Sequence, residues 1–185
     1  MRYSHDHKAH THQRIIKEAS ARFRKDGIAA TGLQPLMKAL GLTHGGFYSH
    51  FKSKDELVEK ALQEASEQVA GLCEEIFAQE NALAAFIDIY LSEWHQTSAN
   101  EGCPLLTISS ELGHRGHPSP TSDTVLSARL EQIENVLKCE NKADQAIVIM
   151  STLVGALLLS RSVADDEFAQ HILAVTRKLL KRNQD

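Results

Sequence analysis

The chain has 185 residues, 42% hydrophobic and 24% charged, enough to bury a core as one large domain or two small ones. Its formal charge of −4 excludes a uniformly basic nucleic-acid binder, and its N-terminus, MRYSHDHKAHTH, has no apolar leader. The longest uncharged run, 145–160, falls short of the roughly 18 apolar residues of a membrane helix and contains Gln145, Ser151, Thr152 and Ser160. The expectation is a soluble cytoplasmic protein with no membrane partner.

In chain order, the spacing of apolar residues predicts helices over 11–26, 33–40, 44–51, 54–80, 82–98, 104–113, 121–139, 142–164 and 166–182. The breaks fall at Gly27, Gly41, Lys52, Asn81, 100–102, 116–120, Asn141 and Asp165. This is an all-α fold without internal repeat or low-complexity tract. The N-terminal histidines His5, His7, His10 and His12 lack the thiolate or carboxylate partners of a metal cage, so no metal site is expected. With Arg2, Lys8 and Arg14, the same arm suits a phosphate backbone.

The stretch 31–57, TGLQPLMKALGLTHGGFYSHFKSKDEL, carries the most information. Leu33, Leu36, Met37 and Leu40 mark a short amphipathic helix ending at Gly41, a residue that accepts the left-handed conformation of a tight turn. Leu42 plugs the turn, and Thr43 is placed to N-cap a second helix. Two helices joined by a short Gly-containing turn make a helix-turn-helix, whose second helix enters the major groove. In that second helix Phe47 and Phe51, four apart, anchor it to its own domain. Gly45 and Gly46 allow its backbone to approach another surface closely. Ser53-Lys54-Asp55-Glu56 then reads as a capping box, with Lys54 at a helix terminus suited to phosphate.

Phe23-Arg24-Lys25-Asp26-Gly27, the 31–42 helix and turn, Gly46-Phe47-Tyr48-Ser49-His50-Phe51 and Lys54-Asp55-Glu56-Leu57 together resemble the TetR (AcrR-type) transcriptional regulators. The resemblance covers the N-terminal part of the chain; the remainder fits that family in length and helical character. It implies phosphate contacts by Tyr48, His50 and Lys54, and base or backbone contacts by Gln34, Thr43, His44 and Gly45. Pro35 departs from the family pattern but lies in a first turn, where the missing N–H has no intrahelical partner. The division expected is 1–53 as a helix-turn-helix DNA-binding domain and 54–185 as a helical effector-binding and dimerisation domain. Charge agrees: residues 1–54 hold ten Lys/Arg against three Asp/Glu, +7, and residues 55–185 hold ten against twenty-one, −11.

Within 54–185, Phe77, Phe86, Tyr90, Trp94, His95, Leu105, Leu106 and Ile108 are candidates for a cavity between helices. Phe86, Tyr90, Trp94, His95 and Cys103 are the expected ligand-binding set. No cluster of basic residues marks the ligand as acidic. Cys73, Cys103 and Cys139 lack metal spacing, and structural disulfides are not expected in an intracellular protein. Cys103 precedes Pro104, which suits a helix N1 position, where a thiol is activated. Some TetR-type electrophile sensors are similar in placing a Gly-Cys there, so a redox- or electrophile-sensing repressor is the alternative reading.

The 142–164 helix is apolar nearly all round, with Ser151 and Gly155 forming a small-residue stripe; the 166–182 helix has one apolar face, with Phe168, Ile172, Val175, Leu179 and Leu180. Together they suit a two-fold four-helix interface with a second copy, as the resemblance also implies. Catalysis by Cys103 with His95, His114 or His117 has no oxyanion motif to support it, so neither an enzyme nor a cofactor is expected. The reading favours a homodimeric repressor of a palindromic double-stranded operator, released by a small-molecule effector still to be identified. An architectural DNA-binder without ligand is the third possibility.

Overall fold

The computed structural model describes residues 2–182, with side chains from Asp6 onward; Arg2 and His5 therefore have side chains outside the described residues. The chain is helical throughout its regular structure: α1 Arg2–Asp26, α2 Leu33–Ala39, a recognition turn His44–Ser49, α3 Lys54–Phe77, α4 Ala82–Tyr90, α5 Glu93–Thr97, a π turn Leu105–Ser109 running into α6 Ser110–His114, α7 Pro120–Val136, α8 Lys142–Ser162 and α9 Asp166–Arg182. α1 is longer than periodicity predicts, because the backbone of residues 2–10 is helical too, with 6–10 exposed. The expected 82–98 helix is two pieces. Ser92 Oγ accepts the His95 N–H at 3.1 Å and starts α5, while the His95 ring Nδ1 takes the Tyr90 carbonyl freed at the break, 2.8 Å away.

Two apolar cores share α3. Ile15, Ile16, Ala19 and Phe23 of α1, Leu36 and Met37 of α2, Phe47 and Phe51 surround its first half, Leu57, Val58, Ala61 and Leu62. Its last turn contributes Ile76 to a second core built from α4, α7, α8 and α9. The π turn also reaches both: Leu105 and Leu106 enter the second core, whereas Ile108 packs in the first. Ile108 thus stands in the N-terminal core, away from the cavity for which its sequence position made it a candidate.

α8 differs from its sequence reading. Ala146, Ile149, Met150, Leu153, Ala156 and Leu157 are buried, but Ile147, Val148, Leu158 and Leu159 on its other side are about half exposed. Its 21 residues are long and apolar enough to cross a membrane by length and composition, contrary to the expectation that no segment would be. Its buried face packs on α7 and α9.

The N-terminal helices are tied to the segment around the π turn and α6 by polar contacts. α1 ends at Gly27, whose φ of 88° favours glycine, and an added Cβ there would come within 2.8 Å of Glu111 Oε2. The Glu111 carboxylate accepts the N–H groups of Ile28 and Ala29, and Arg24 Nη1 donates to the Gly102 carbonyl at 3.1 Å. Glu111→Ala should lower stability by about 1–3 kcal/mol, since charge-assisted bonds to backbone N–H are lost and one of those groups is partly buried. Urea denaturation checks this. An unchanged midpoint would mean that the carboxylate holds nothing.

Candidate nucleic-acid interface and helical-body cavity

The helix-turn-helix closes as its residues dictate. Gly41 takes φ 73°, and Leu42 N–H turns back to the Met37 carbonyl at 2.9 Å. Pro35 occupies the first turn of α2. The second element is tighter than the α-helix expected over 44–51: it is a 3₁₀ turn, with Gly46 N–H on the Thr43 carbonyl at 3.1 Å and Thr43 Oγ1 accepting from the same N–H at 3.2 Å. Two adjacent glycines weaken the longer α-helical alternative. They are not equivalent. A Cβ on Gly45 would meet nothing within 4 Å, whereas one on Gly46 would meet Thr43 Oγ1 at 3.3 Å.

This turn is anchored from beneath. Phe47 is fully buried and stacks on Phe51, ring centroids 5.3 Å apart. The adjoining Tyr48 is 62% exposed, with the His44 ring at its edge, 6.1 Å away. Gln34, Thr43, His44 and Gly45 are exposed with it. His50 is half-buried; its Nδ1 has no hydrogen-bond partner, and burial first, then the charge of Lys8, lowers its pKa. His12 stacks on Phe51 at 4.5 Å, so this arm histidine packs the recognition turn. Among the described residues no group of three or more His, Cys, Asp or Glu could hold a metal ion.

Lys54 is less free than its position in the sequence indicates. Its Nζ donates to the Ile28 carbonyl, and burial lowers its pKa, aided by the charge of Arg115. The ammonium keeps two protons for another acceptor. Ser53 caps α3, accepting the Glu56 N–H at 3.1 Å; Glu56 in return accepts from Lys52 N–H at 2.7 Å, one residue before the usual capping-box partner.

In the helical body, Phe86, Tyr90, Trp94, His95 and Cys103 line one cavity. Sequence reasoning missed Val69, Leu72, Cys73 and Ile76 of α3, Ile89 and Gly102, and also Arg129 of α7. Phe77 stands behind Phe86, ring centroids 5.0 Å apart, while Leu105 and Leu106 belong to the packed core. The expected helix at 104–113 begins as a π turn, so Cys103 does not face the regular helix terminus foreseen for it. Its N–H donates to His95 Nε2 at 3.0 Å. His95 is therefore held at both ring nitrogens, and burial depresses its pKa to about 4.

This geometry agrees with what the chain is similar to. The sequence profile of the bacterial regulatory proteins of the tetR family matches residues 15–61, which span the second half of α1, the helix-turn-helix and the start of α3. The chain carries the DNA-binding domain of the TetR-family transcriptional regulators. It is 24% identical over 181 residues to the HTH-type transcriptional regulator LmrA of Bacillus subtilis strain 168, covering 92% of this chain and 96% of that one. The similarity to the HTH-type regulator YerO of the same strain is 43% but spans 51 residues, 28% of this chain and 18% of YerO. Among solved structures, a TetR transcriptional regulator from Chloroflexus aurantiacus J-10-FL superposes with a TM-score of 0.78, at 25% identity over 98% of both chains. The reduced form of NemR from E. coli shares the fold, with a TM-score of 0.75 at 17% identity over 93% of this chain and 95% of that one. These relatives are transcriptional regulators, not enzymes. TetR-family regulators bind DNA and typically dimerise.

Proposed function

We propose that this protein is a cytoplasmic TetR-family repressor that binds a palindromic operator as a homodimer and leaves it when a small-molecule effector enters the helical body. One chain combines a solvent-facing recognition turn on a fully buried anchor with an apolar face that it does not cover itself. That pairing carries the reading. The uncovered face comprises Ile147, Val148, Leu158 and Leu159 of α8 with Phe168, Val175 and Leu179 of α9. An exposed apolar patch of this kind marks an association surface, and a two-fold axis through it would set two recognition turns at a fixed spacing. The division falls at 53/54, where Ser53 caps α3. Release requires that the effector bind the DNA-competent and DNA-incompetent arrangements unequally.

Titration of duplex DNA at several salt concentrations tests the contacts. Lys54→Ala should weaken operator and random duplex alike and reduce the salt slope by about 0.9, the contribution of one neutralised phosphate. Tyr48→Phe should weaken both while leaving the slope unchanged, because a hydroxyl carries no charge. His44→Ala should change sequence preference instead. An unaltered slope in Lys54→Ala would mean that its ammonium serves the Ile28 carbonyl and no phosphate.

A further inference from the structure

Arg129 lies on the buried stripe of α7 with Val125 and Ile133, at a spacing of four residues that otherwise carries core side chains. It is 8% exposed, and a guanidinium so placed is normally paired. Here no carboxylate forms an ion pair with it among the described residues. Its Nη1 donates to the neutral Gln132 Oε1 at 2.5 Å, and its Cζ sits 5.7 Å from the centroid of the Phe86 ring. On the same cavity wall the Tyr90 hydroxyl is buried with the Cys103 thiol beside it but makes no hydrogen bond, and the Tyr90 ring meets Phe86 at 5.6 Å. Burial pushes the Tyr90 pKa well above its ordinary value, so the hydroxyl keeps its proton and can donate it.

Two further arginines border this region, and both are already hydrogen-bonded: Arg161 donates to the His95 and Gln96 carbonyls, Arg24 to the Ser20 and Gly102 carbonyls and to Gln68 Oε1. His95 is neutral at physiological pH. Glu64, an acid near Arg24, already accepts from Gln13 and Gln68. The cavity thus presents an uncompensated cation and an unused donor in an otherwise apolar, aromatic wall formed by Val69, Leu72, Ile76, Phe86, Ile89 and Trp94. About 50 Å³ is reachable by the centre of a water-sized sphere, several times the roughly 10–15 Å³ that houses one water. Leu72 and Trp94, both over 40% exposed, stand at its mouth.

We propose that this cavity binds a small organic acid, its carboxylate held by Arg129 and the Tyr90 hydroxyl and its apolar body lying against Phe86 and Trp94. The proposal rests on the reading of the cavity as the effector site and names the effector's chemical class. A carboxylate satisfies both unmet groups at once, because its two oxygens match the guanidinium fork and retain a lone pair for the phenol. A neutral ligand of the same shape would leave the cation without a counter-charge.

Trp94 is the sole tryptophan, so its emission in the full-length protein reports occupancy directly. Titration with benzoate should give a saturable change, and benzamide, its uncharged isostere, should bind about tenfold or more weakly. Arg129→Gln should abolish that preference. Arg129→Lys, which keeps the charge without the fork, should retain part of it. Tyr90→Phe removes only an unpartnered hydroxyl, so it should melt no lower than the parent and bind benzoate about three- to tenfold more weakly. Equal binding of benzoate and benzamide, unchanged benzoate affinity in folded Tyr90→Phe and Arg129→Lys, or no response to benzoate up to its solubility limit would each overturn the proposal. The same titrations on operator-bound protein separate the two claims. DNA release by benzamide with no preference for benzoate would keep the effector reading and end the acid assignment. Arg129-dependent benzoate binding without any effect on DNA would do the reverse.

Discussion

Phe47→Ala should destabilise the protein by about 3–5 kcal/mol, the usual cost of emptying a buried aromatic site. Phe47 is fully buried among Leu36, Met37 and Phe51, and its ring is what fixes a 3₁₀ turn too short to persist alone. The variant should lose DNA binding together with its thermal midpoint. Tyr48→Ala, one residue further, should behave oppositely. At 62% exposure its truncation should change stability by no more than about 0.5 kcal/mol while DNA affinity falls. Denaturant melts beside duplex titrations distinguish the two; a stable Phe47→Ala that still binds DNA would show that the turn is held by something else.

Acid should destabilise the helical body through His95. Its pKa is about 4 in the folded protein against 6.5 in the unfolded chain, depressed chiefly by burial and partly restored by the bond to the Tyr90 carbonyl. Between those values the unfolded chain takes up a proton that the folded one refuses, so stability is intact above pH 6.5 and declines as pH falls toward 4. At about 1.4 kcal/mol per pH unit the loss approaches about 3 kcal/mol as an upper figure. His12 and His50, also depressed, act in the same direction but are less buried. His95→Asn should be weaker at neutral pH, having lost the bonds to Tyr90 and Cys103, yet show a much flatter decline between pH 6.5 and 4. A decline as steep as the parent's would locate the titration elsewhere.

The helix-turn-helix was legible because its signals are local: a left-handed glycine, a Thr cap and two aromatics four apart each act within a few residues. Elsewhere the sequence was less informative. Ser92 and His95 split a predicted helix by cooperating with the Tyr90 carbonyl, and composition gave no sign of the π turn at Leu105–Ser109. The apolar circumference of α8 reads as burial all round, yet the chain supplies neighbours on one side only. Arg129 was findable: a charged residue on the stripe Val125–Arg129–Ile133 is an anomaly that periodicity exposes. The five cavity residues expected from the sequence, Phe86, Tyr90, Trp94, His95 and Cys103, are brought together by α4, α5 and the segment before the π turn. The α3 stripe Val69, Leu72, Cys73 and Ile76 follows the same helical spacing and was passed over because it lies at the far end of the helix that begins at Lys54.

Selection of bound sequences from a random duplex pool by the full-length protein, followed by footprinting of the enriched site, tests the central claim most directly. The account predicts one two-fold symmetric site whose half-sites lie about one helical turn, 34–36 Å, or a multiple of it apart, and whose affinity falls in Tyr48→Ala. No enrichment over random duplex, or a site without symmetry that Tyr48→Ala binds equally well, would contradict it.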